Sequence, residues 1–575
     1  MRRFGWIAAG LTMAAGLAAG CKFPYPGDVP DDDGTAMHAI GGSVTGLWTG
    51  GAVTLHLAAG DVTEDVAASA GQPFAFTSHV LDGESYLVTV ADDGPDHDCV
   101  VANGSGRVDG ADVTDLDVEC TNLIPHGIAI STPVDFTFDP RTTHYPLAVS
   151  ILQQEVSVTV SGPTLTSAKV AGQAVTIGQP SPPVPLGQGM TTVPVDVAKG
   201  ALSQHYELVF DRGAIPITED LYARAFNAGA GDHFGVAAAA SGDWAAIGAD
   251  AEDSSSDNGV DDGTSRSGAV YIYHREGNSW RSTQKLKGSA LATDRHLGEA
   301  LAMEGDTLVV GARQDDALGV DAGAIYVFRL DAGAGLWHEE QRITATDGSR
   351  GDRFGQSVAL SGDYLAASAP SYDAGTGNLG DNFGQVYIFH RSGASWSQSA
   401  IVDPMPRVVE DYFGTQVALD GDSLAVLTAS RTYVYRRAGA SWNEEPVPAD
   451  ATGTGLDLEG DDLVVGTRTY HRTGTSWSFV SDLPAPAQLP NPTYGPSVAL
   501  HRDLIITTVN DQSLMAWQRI GATWVATPPV LRSQGHGFNF GYALALETEG
   551  VVVGDFRDSG PASDSQDSGT VWFFH

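Results

Sequence analysis

From residue 217 onward the chain repeats one pattern, and this repeat constrains the fold more than any other feature. The clearest copy opens with Phe354-Gly355, turns at Ser361-Gly362-Asp363, and continues through two more strand-like segments past Trp396. The opening pairs are Phe234-Gly235, Leu297-Gly298, Phe354-Gly355, Phe413-Gly414, a degenerate Thr452-Gly453, Tyr494-Gly495 and Phe540-Gly541. Units of four strands, repeating every ~40 to 60 residues, predict an all-β fold with a seven-bladed β-propeller at 214–575.

The tryptophan that opens the fourth strand indicates how the propeller closes. It occurs in six copies, and the seventh ends at His575 without one. These residues are Trp280, Trp337, Trp396, Trp442, Trp477 and Trp524. A spare strand-like segment, 220–226, precedes the first Phe-Gly pair. We expect this segment to complete the last blade and so to remove the open sheet edges.

The repeat resembles the FG-GAP repeat of the integrin α-chain propeller. The Phe-Gly opening is followed by a Gly-Ala strand, as at Ile247-Gly248-Ala249 and Val310-Gly311-Ala312, and then by a Val-Tyr strand. In one respect the chain departs from that family. The Asp-x-Asp-x-Asp-Gly calcium loop between the first two strands is reduced here to turns such as Ser241-Gly242-Asp243. The calcium sites of that family are therefore not carried over.

The loops between second and third strands are long in blades seven, one, two and three, which are neighbours in a ring. Loops on a rigid scaffold commonly carry binding residues, so we predict a ligand-binding rim on this face. Its acidic members are Asp250, Asp253, Asp315, Asp316, Asp373, Asp381, Asp555 and Asp558.

One of these loops contains a candidate calcium site. Asp257, Asp261 and Asp262 offer the hard oxygen ligands that Ca²⁺ prefers. The bidentate glutamate that completes an EF-hand does not follow them. Two interpretations stay open: a calcium site, with Ca²⁺ as the cofactor, or a solvated acidic surface.

Charge excludes one class of partner. The chain has 31 basic and 71 acidic residues, a net charge of −40. Such a field repels nucleic acid and anionic lipid headgroups, so nucleic-acid binding is not expected. Membrane contact is then expected only through a covalent anchor.

The N-terminus predicts such an anchor. Residues 1–20 combine basic Arg2 and Arg3 with a short apolar run, the pattern of a secretory signal peptide. The segment 17–21 resembles the bacterial lipobox, which implies that Cys21 is lipidated; Ala18 stands where that motif usually has leucine. The alternative is an ordinary signal peptide. Residues 21–37 form a flexible tether, and the lipoprotein is expected in the cell envelope, at the outer membrane or cell surface.

Two small β-sandwich domains are predicted before the propeller, at 38–122 and 123–213. Cys99 and Cys120 are the cysteines that remain after Cys21, and in an exported protein they predict a disulfide. The second domain resembles a cadherin-like sandwich, since it opens with Phe136 to Pro140 and closes with Tyr206 to Arg212. That resemblance implies a spacer.

No catalytic residue is assigned. The sequence contains no P-loop, zinc-protease helix motif or nucleophile elbow. The segment Ser565 to Trp572 fits an Asp-box, which is a structural turn. We therefore predict a binding, adhesion or scaffold lipoprotein whose propeller face takes a protein or glycan. An envelope carbohydrate-active enzyme, hydrolase or lyase, using the same face is the alternative, and a structural role in an envelope assembly is a third.

Overall fold

The computed structural model describes residues 36–47, 50–93, 97–124, 126–131, 136–187, 189–200, 202–215, 217–257, 263–277, 279–290, 292–374, 380–485, 493–510, 513–528, 530–531, 539–547, 550–559 and 567–575. Every regular element among these residues is a β-strand. No helix long and apolar enough to cross a membrane occurs in this part of the chain.

The first strands form two four-stranded sheets and one short pair. They are β1 (Met37–His38), β2 (Ile40–Thr45), β3 (Ala52–Ala59), β4 (Val62–Ser69), β5 (Pro73–Ala75), β6 (Val80–Leu81), β7 (Ser85–Asp92), β8 (His97–Ala102), β9 (Ser105–Arg107) and β10 (Val113–Asn122). The sheets run β5-β2-β10-β8 and β4-β3-β7-β9. Alternate residues of β3, such as Leu55 and Leu57, are buried between them. Cys99 lies opposite Cys120 in the β8–β10 register, and the two form a disulfide.

The next strands build a five-stranded sheet faced by two short pairs. They are β11 (Gly127–Ile130), β12 (His144–Ser150), β13 (Glu155–Val156), β14 (Val158–Ser161), β15 (Ser167–Val170), β16 (Gln173–Val175), β17 (Val184–Pro185), β18 (Gly189–Lys199) and β19 (Leu202–Ile215). The large sheet runs β12-β19-β18-β15-β16. Tyr206, Leu208 and Phe210 of β19 are fully buried in its core.

The remaining strands form successive four-stranded sheets, the blades. They are β20 (Glu219–Ala223), β21 (Phe234–Ser241), β22 (Trp244–Ala249), β23 (Ala269–Glu276), β24 (Ser279–Leu286), β25 (Leu301–Glu304), β26 (Thr307–Ala312), β27 (Ala324–Asp331), β28 (Leu336–Ile343), β29 (Val358–Ser361), β30 (Tyr364–Ala369), β31 (Gln385–Ser392), β32 (Ser395–Val402), β33 (Gln416–Asp420), β34 (Ser423–Leu427), β35 (Thr432–Ala438), β36 (Ser441–Glu445), β37 (Leu456–Glu459), β38 (Asp462–Val465), β39 (Arg468–Thr473), β40 (Ser476–Asp482), β41 (Tyr494–His501), β42 (Leu504–Val509), β43 (Ser513–Ile520), β44 (Thr523–Ala526), β45 (Val530–Leu531), β46 (Ala543–Glu547), β47 (Gly550–Asp555) and β48 (Thr570–Phe574).

The blades close into a ring, and the predicted all-β propeller is confirmed. Blade one is β21 to β24, and each following group of four strands up to β44 is the next blade; β45 adds a fifth strand to blade six. Blade seven consists of β46, β47, β48 and β20. The innermost strands touch in the order β21, β25, β29, β33, β37, β41 and β46, and β46 returns to β21. Residues 219–223 therefore complete the sheet that ends at 570–574.

The repeated residues are explained by packing within the blade. Phe354 is fully buried and meets the edge of Tyr387, with ring centroids 5.3 Å apart. Gly355 has a φ of 89°, and a Cβ on it would lie 2.5 Å from the Ala324 carbonyl oxygen of the preceding blade. A glycine is required at this position because the two backbones approach so closely.

The Gly-Asp turn is also structural. Asp363 accepts hydrogen bonds from the backbone N–H of Arg391 (2.9 Å) and from its Nε (2.8 Å), and the guanidinium lies 5.6 Å from the Trp396 ring centre. Blades one and five repeat the arrangement with other residues of the same types. These sets are Asp243, Arg275 and Trp280, and Asp461, Arg472 and Trp477. The aspartate thus connects the first hairpin of a blade to its third strand.

The ring has two unlike faces. We call the face that carries the hairpins between strands one and two and between strands three and four the turn face. On it, in six of the seven blades, the residue before the first turn accepts a hydrogen bond from a backbone N–H in the next blade's turn. The pairs are Ser241 with Gly305, Glu304 with Gly362, Ser361 with Gly421, Asp420 with Gly460, Glu459 with Arg502, and Glu547 with Gly242. We call the opposite face, with the loops between strands two and three and the blade connections, the loop face.

We call strands β1 to β10 the first sheet group and strands β11 to β19 the second sheet group. The second sheet group is docked on the turn face. Arg212 of β19, whose side chain is 1 % exposed, forms an ion pair with Asp503 in the first turn of blade six. Arg502 pairs with Glu155 beside it. Ile151 and Leu152 pack in one apolar cluster with Leu504 and other residues of blades six and seven. The loop face consequently points away from the N-terminal strands.

Candidate ligand-binding site at the channel mouth

The residue before the Phe-Gly pair repeats a strained conformation on the loop face. His233, His296, Arg353 and Tyr412 have φ values of 60°, 54°, 59° and 50°. Each backbone N–H donates to a carbonyl in the preceding blade's long loop, for example Arg353 to Asp321 at 3.0 Å. Glycine would adopt this conformation at lower cost, so large polar side chains here point to a functional use. We call these four residues the mouth ring.

A cavity of 380 Å³ opens between the innermost strands and is lined by all the blades. Residues just after the Phe-Gly pair line it; they include Val236, Glu299, Gln356, Thr415, Pro496 and Tyr542. Among its lining residues, Glu299 and Arg313 carry charge. Since both come from blade two, the charge lies on one side of the channel.

Two histidines of the mouth ring share one carboxylate. Asp250 is hydrogen-bonded to Nδ1 of His233 at 3.0 Å and to Nδ1 of His296 at 2.9 Å. Burial opposes ionisation of Asp250, but these hydrogen bonds and the nearby imidazole charges outweigh it and lower the pKa of its carboxyl to about 2. Asp250 is therefore a fixed negative charge that orients both imidazoles.

Glu299 behaves in the opposite way. Its Oε2 lies 2.6 Å from Nε of Arg313. Burial nevertheless raises the pKa of Glu299 to about 7, and the charge of Asp250 adds to this effect. The neighbouring carboxyls of Asp250 and Glu299 thus have very different pKa values. Such a pair suits acid–base chemistry as well as ligand binding.

Aromatic side chains complete the mouth on the side of blade seven. Tyr542 is 41 % exposed and packs against Phe556, with ring centroids 4.5 Å apart. Phe556 also meets the His233 ring at 5.3 Å, and the Arg557 guanidinium lies 5.1 Å from its centre. We define the channel-mouth cluster as His233, Asp250, His296, Glu299, Arg313, Tyr542 and Phe556.

The structure separates the predicted rim aspartates into two groups. Asp250, Asp315, Asp555 and Asp558 are buried. Asp315, for instance, accepts a hydrogen bond from the Tyr326 hydroxyl at 2.8 Å and pairs with Arg342, and Asp558 accepts one from Thr570 at 3.0 Å. Asp315, Asp555 and Asp558 thus stabilise the loops from within, whereas Asp250 belongs to the channel-mouth cluster.

The other rim aspartates mostly bind backbone N–H groups of their own loops. Asp253 accepts from Arg266 at 2.6 Å, Asp316 from Asp321 at 2.9 Å, and Asp373 from Asn382 at 2.9 Å. Asp381 is half-buried. Sequence alone does not distinguish a carboxylate that closes a turn from one that faces a ligand.

Some predicted residues lie outside the described part of the chain. Asp261, Asp262 and Cys21 are among them, and Asp257 is exposed at the edge of the loop. Within the described residues, no group of three or more His, Cys, Asp or Glu could hold a metal ion. The calcium site and the lipidation of Cys21 stay predictions.

The channel-mouth cluster, apart from Asp250, was missed by the sequence reasoning. Its signal is departure from the repeat: the position of Glu299 is Gln356 and Thr415 in the next two blades, and that of Arg313 is Pro370 in blade three. The glycine of the opening pair is present in all seven copies, whereas these positions change from blade to blade.

Comparisons with known proteins find matches to one repeat profile and to solved structures. The FG-GAP repeat profile matches residues 280–328 and 337–389. No curated protein matches. The solved β-propeller domain of Cps50 (Swd1) from Myceliophteria thermophila is 12 % identical, with a TM-score of 0.40, over 62 % of this chain and 99 % of that one. Sqt1 of Saccharomyces cerevisiae is 9 % identical, with a TM-score of 0.32, over 58 % and 82 %. The ring of blades described above makes the chain a β-propeller protein, and two of its segments match the FG-GAP repeat. The cadherin-like resemblance of 123–213 stays a prediction.

Proposed function

We propose that this protein is a binding module whose loop face, centred on the channel-mouth cluster, takes a protein or glycan partner. The observation that carries the proposal is the docking of the second sheet group on the turn face through Arg212 and Asp503. This docking leaves the loop face uncovered by the second sheet group. On the loop face, equivalent positions of different blades carry different residues. An exposed aromatic residue, Tyr542, and charged groups around a cavity are the usual components of a binding site.

The predicted lipid anchor belongs to the same proposal. A lipid on Cys21 and a tether at 21–37 would hold the chain to the envelope, at the outer membrane or cell surface, by its N-terminal end. The first two sheet groups are joined by Arg141, which donates to Asp93 at 2.8 Å and to the His97 carbonyl at 2.9 Å. They would act as a stalk that presents the loop face away from the membrane.

A capture experiment tests the binding proposal. Residues 37–575 are immobilised and exposed to envelope and matrix extracts and to a glycan array, with calcium or with chelator. The test variant is Tyr542→Ala with Arg313→Ala. The matched control is Ile520→Ala, which removes an exposed apolar side chain from the turn face. A partner lost only by the test variant supports the proposal, and equal capture by both variants contradicts it.

One observation favours the enzyme alternative, a carbohydrate-active hydrolase or lyase at the same site. Glu299, with its pKa near 7, can hold a proton at neutral pH while Asp250 stays ionised. The test is turnover of acidic and neutral polysaccharides, followed by released reducing ends and by ultraviolet absorbance of an unsaturated product. Glu299→Gln should abolish turnover and keep binding. If neither product forms with the parent protein, the binding proposal stands alone.

A further inference from the structure

The arginines of this protein are distributed unevenly over its surface. In a chain with 71 acidic and 31 basic residues, nearly every arginine is expected to find a carboxylate. Several exposed arginines nevertheless form no ion pair with any described carboxylate, and most of them lie on the loop face. Those on the loop face are Arg266, Arg350, Arg353, Arg431 and Arg557, and those elsewhere are Arg107 and Arg436.

Several carboxylates of the loop face accept hydrogen bonds from backbone N–H groups and form no ion pair with these arginines. Asp253 and Asp373 accept N–H groups of their own loops, as described above. Asp352, just before Arg353, is buried and accepts the Ser349 backbone N–H at 2.7 Å. These arginines therefore have no described carboxylate within ion-pair distance, and their guanidinium groups can bind an anionic ligand.

Two of the arginines share a pocket. A cavity of 310 Å³ at the start of blade three is lined by Arg350 and Arg353 together with Asp321, Asp373, Asn382 and Tyr412. Arg353 and Tyr412 belong to the mouth ring, so the pocket adjoins the channel-mouth cluster. Asn382 Nδ2 donates to the Tyr412 hydroxyl at 3.3 Å, and Asp373 accepts the Asn382 backbone N–H, which fixes the wall opposite the arginines.

We propose that this pocket binds the carboxylate-bearing unit of an acidic saccharide, that is, a uronate. This inference rests on the proposed binding function of the loop face and names the ligand class. Guanidinium groups match a carboxylate in geometry and charge. The oxygens of Asp321 and Asp373 and the amide of Asn382 suit sugar hydroxyls, and the Tyr412 ring offers a flat surface to the sugar.

The charge balance of the pocket selects against other anions. Two arginines and two aspartates give no net charge, and the whole chain carries −40. A phosphate monoester carries up to two charges on one group, whereas a uronate carries one, so the surrounding field repels the phosphate more strongly. A single carboxylate matches the two arginines of the lining, and the hydroxyls of a sugar match the aspartate and asparagine side chains.

The test uses residues 37–575 and calorimetric titration with oligogalacturonate, oligomannuronate and hyaluronan oligosaccharides. Each is paired with its methyl ester, which keeps the hydroxyls and removes the charge. We expect one of the acids to bind and its ester to bind about tenfold or more weakly, because the ester cannot make the charge-assisted hydrogen bonds to the arginines. Binding should also weaken at high salt.

Two variants locate the site. Arg350→Ala with Arg353→Ala should weaken binding of the acid about tenfold or more and leave binding of the ester unchanged. Arg436→Ala removes an exposed, unpaired arginine away from the loop face and should change neither. Thermal unfolding of each variant checks that it is folded.

Each outcome decides the inference. Equal binding of acid and ester, unchanged binding by the double variant, or binding of sulfated saccharides alone would overturn it. If no acidic saccharide binds while capture from extracts still depends on Tyr542 and Arg313, the uronate inference is wrong and the binding module stands. If both tests are negative, the proposed function fails as well.

Discussion

Arg212 of the second sheet group holds the carboxylate of Asp503 in blade six through both terminal nitrogens, at 2.8 Å from Nη1 to Oδ2 and 3.0 Å from Nη2 to Oδ1. In blades one to five the turn aspartate is bound by an arginine of its own third strand. Arg519, the corresponding arginine of blade six, instead bonds to Asp462 of blade five at 2.6 Å. A residue that normally stabilises one blade thus joins the propeller to the domain before it.

Replacing Arg212 with alanine should lower the free energy of unfolding by about 2–3 kcal/mol. The change leaves Asp503 without its cation, and the carbonyls of Ile151 and Leu186 without their donor. Urea denaturation measures the loss. Arg281→Ala is the control, since its ion pair with Glu276 is exposed and should contribute less than about 1 kcal/mol. Equal losses for the two variants would show that the joint does not stabilise the fold.

The opening Phe of a blade should be far more sensitive to substitution than its degenerate counterpart. Phe354→Ala removes a fully buried ring from between blades two and three and should cost about 3–5 kcal/mol. Thr452→Ala, at the equivalent position of blade five, changes an exposed side chain and should cost less than about 0.5 kcal/mol. Thermal and urea unfolding compare the two, and similar costs would contradict the repeat alignment.

Stability should decrease as the pH rises through neutrality. Burial raises the pKa values of Glu299, Asp457 and Glu547 to about 7 each. Between about pH 4 and 7 the folded protein therefore holds protons that the unfolded chain releases. Since the folded state binds more protons there, the free energy of unfolding falls as the pH rises. Asp352, whose pKa burial raises to about 6, adds to this trend. The lowered pKa of Asp250 acts in the opposite sense only below about pH 4, and the pKa of His126, which burial lowers, opposes the trend by a single group.

Calorimetric Tm values between about pH 5 and 8 test this dependence. Glu547→Gln removes one titrating group from the turn face, so its Tm should decrease less steeply with pH than that of the parent protein. Exposed Glu276→Gln should leave the slope unchanged. A rise of Tm with pH over this range is the result that the three raised pKa values do not allow.

The disulfide should stabilise the first sheet group by about 3 kcal/mol. It closes a loop between residues separated by 21 positions and joins β8 to β10 where they pair. Cys99→Ser with Cys120→Ser should therefore make residues 36–124 more susceptible to proteolysis while the blades unfold at an unchanged temperature. A lower unfolding temperature for the blades would show that the first sheet group supports them directly.

Sequence reasoning was sufficient for the parts of the fold that repeat. Phe354, Gly355 and Asp363 each make a contact that recurs in other blades, so the spacing of these residue types predicted the blades. The strand expected at 220–226 lies at 219–223 and pairs with β48. These features depend on local pattern and on ring closure, which a single sequence displays.

The remainder depends on contacts between residues far apart in the chain. Nothing in the local sequence around Asp503 shows that Arg212, 291 positions earlier, binds it. In the same way, Asp250 was predicted only as one of eight rim aspartates, and its position between His233 and His296 required the folded ring. The candidate site lies where repeat-equivalent positions differ, and that comparison becomes meaningful only once the blades are aligned in space.

The pairing of residues 219–223 with 570–574 also governs how the chain can be made. Synthesis delivers blade one long before blade seven, so the growing chain passes through an unfinished arc of blades with two unsealed ends. The first of its strands must wait for a partner made about 350 residues later. A nascent chain interrupted before residue 570 would expose those ends to other molecules, and helper proteins that shield strand edges would be needed most at that stage.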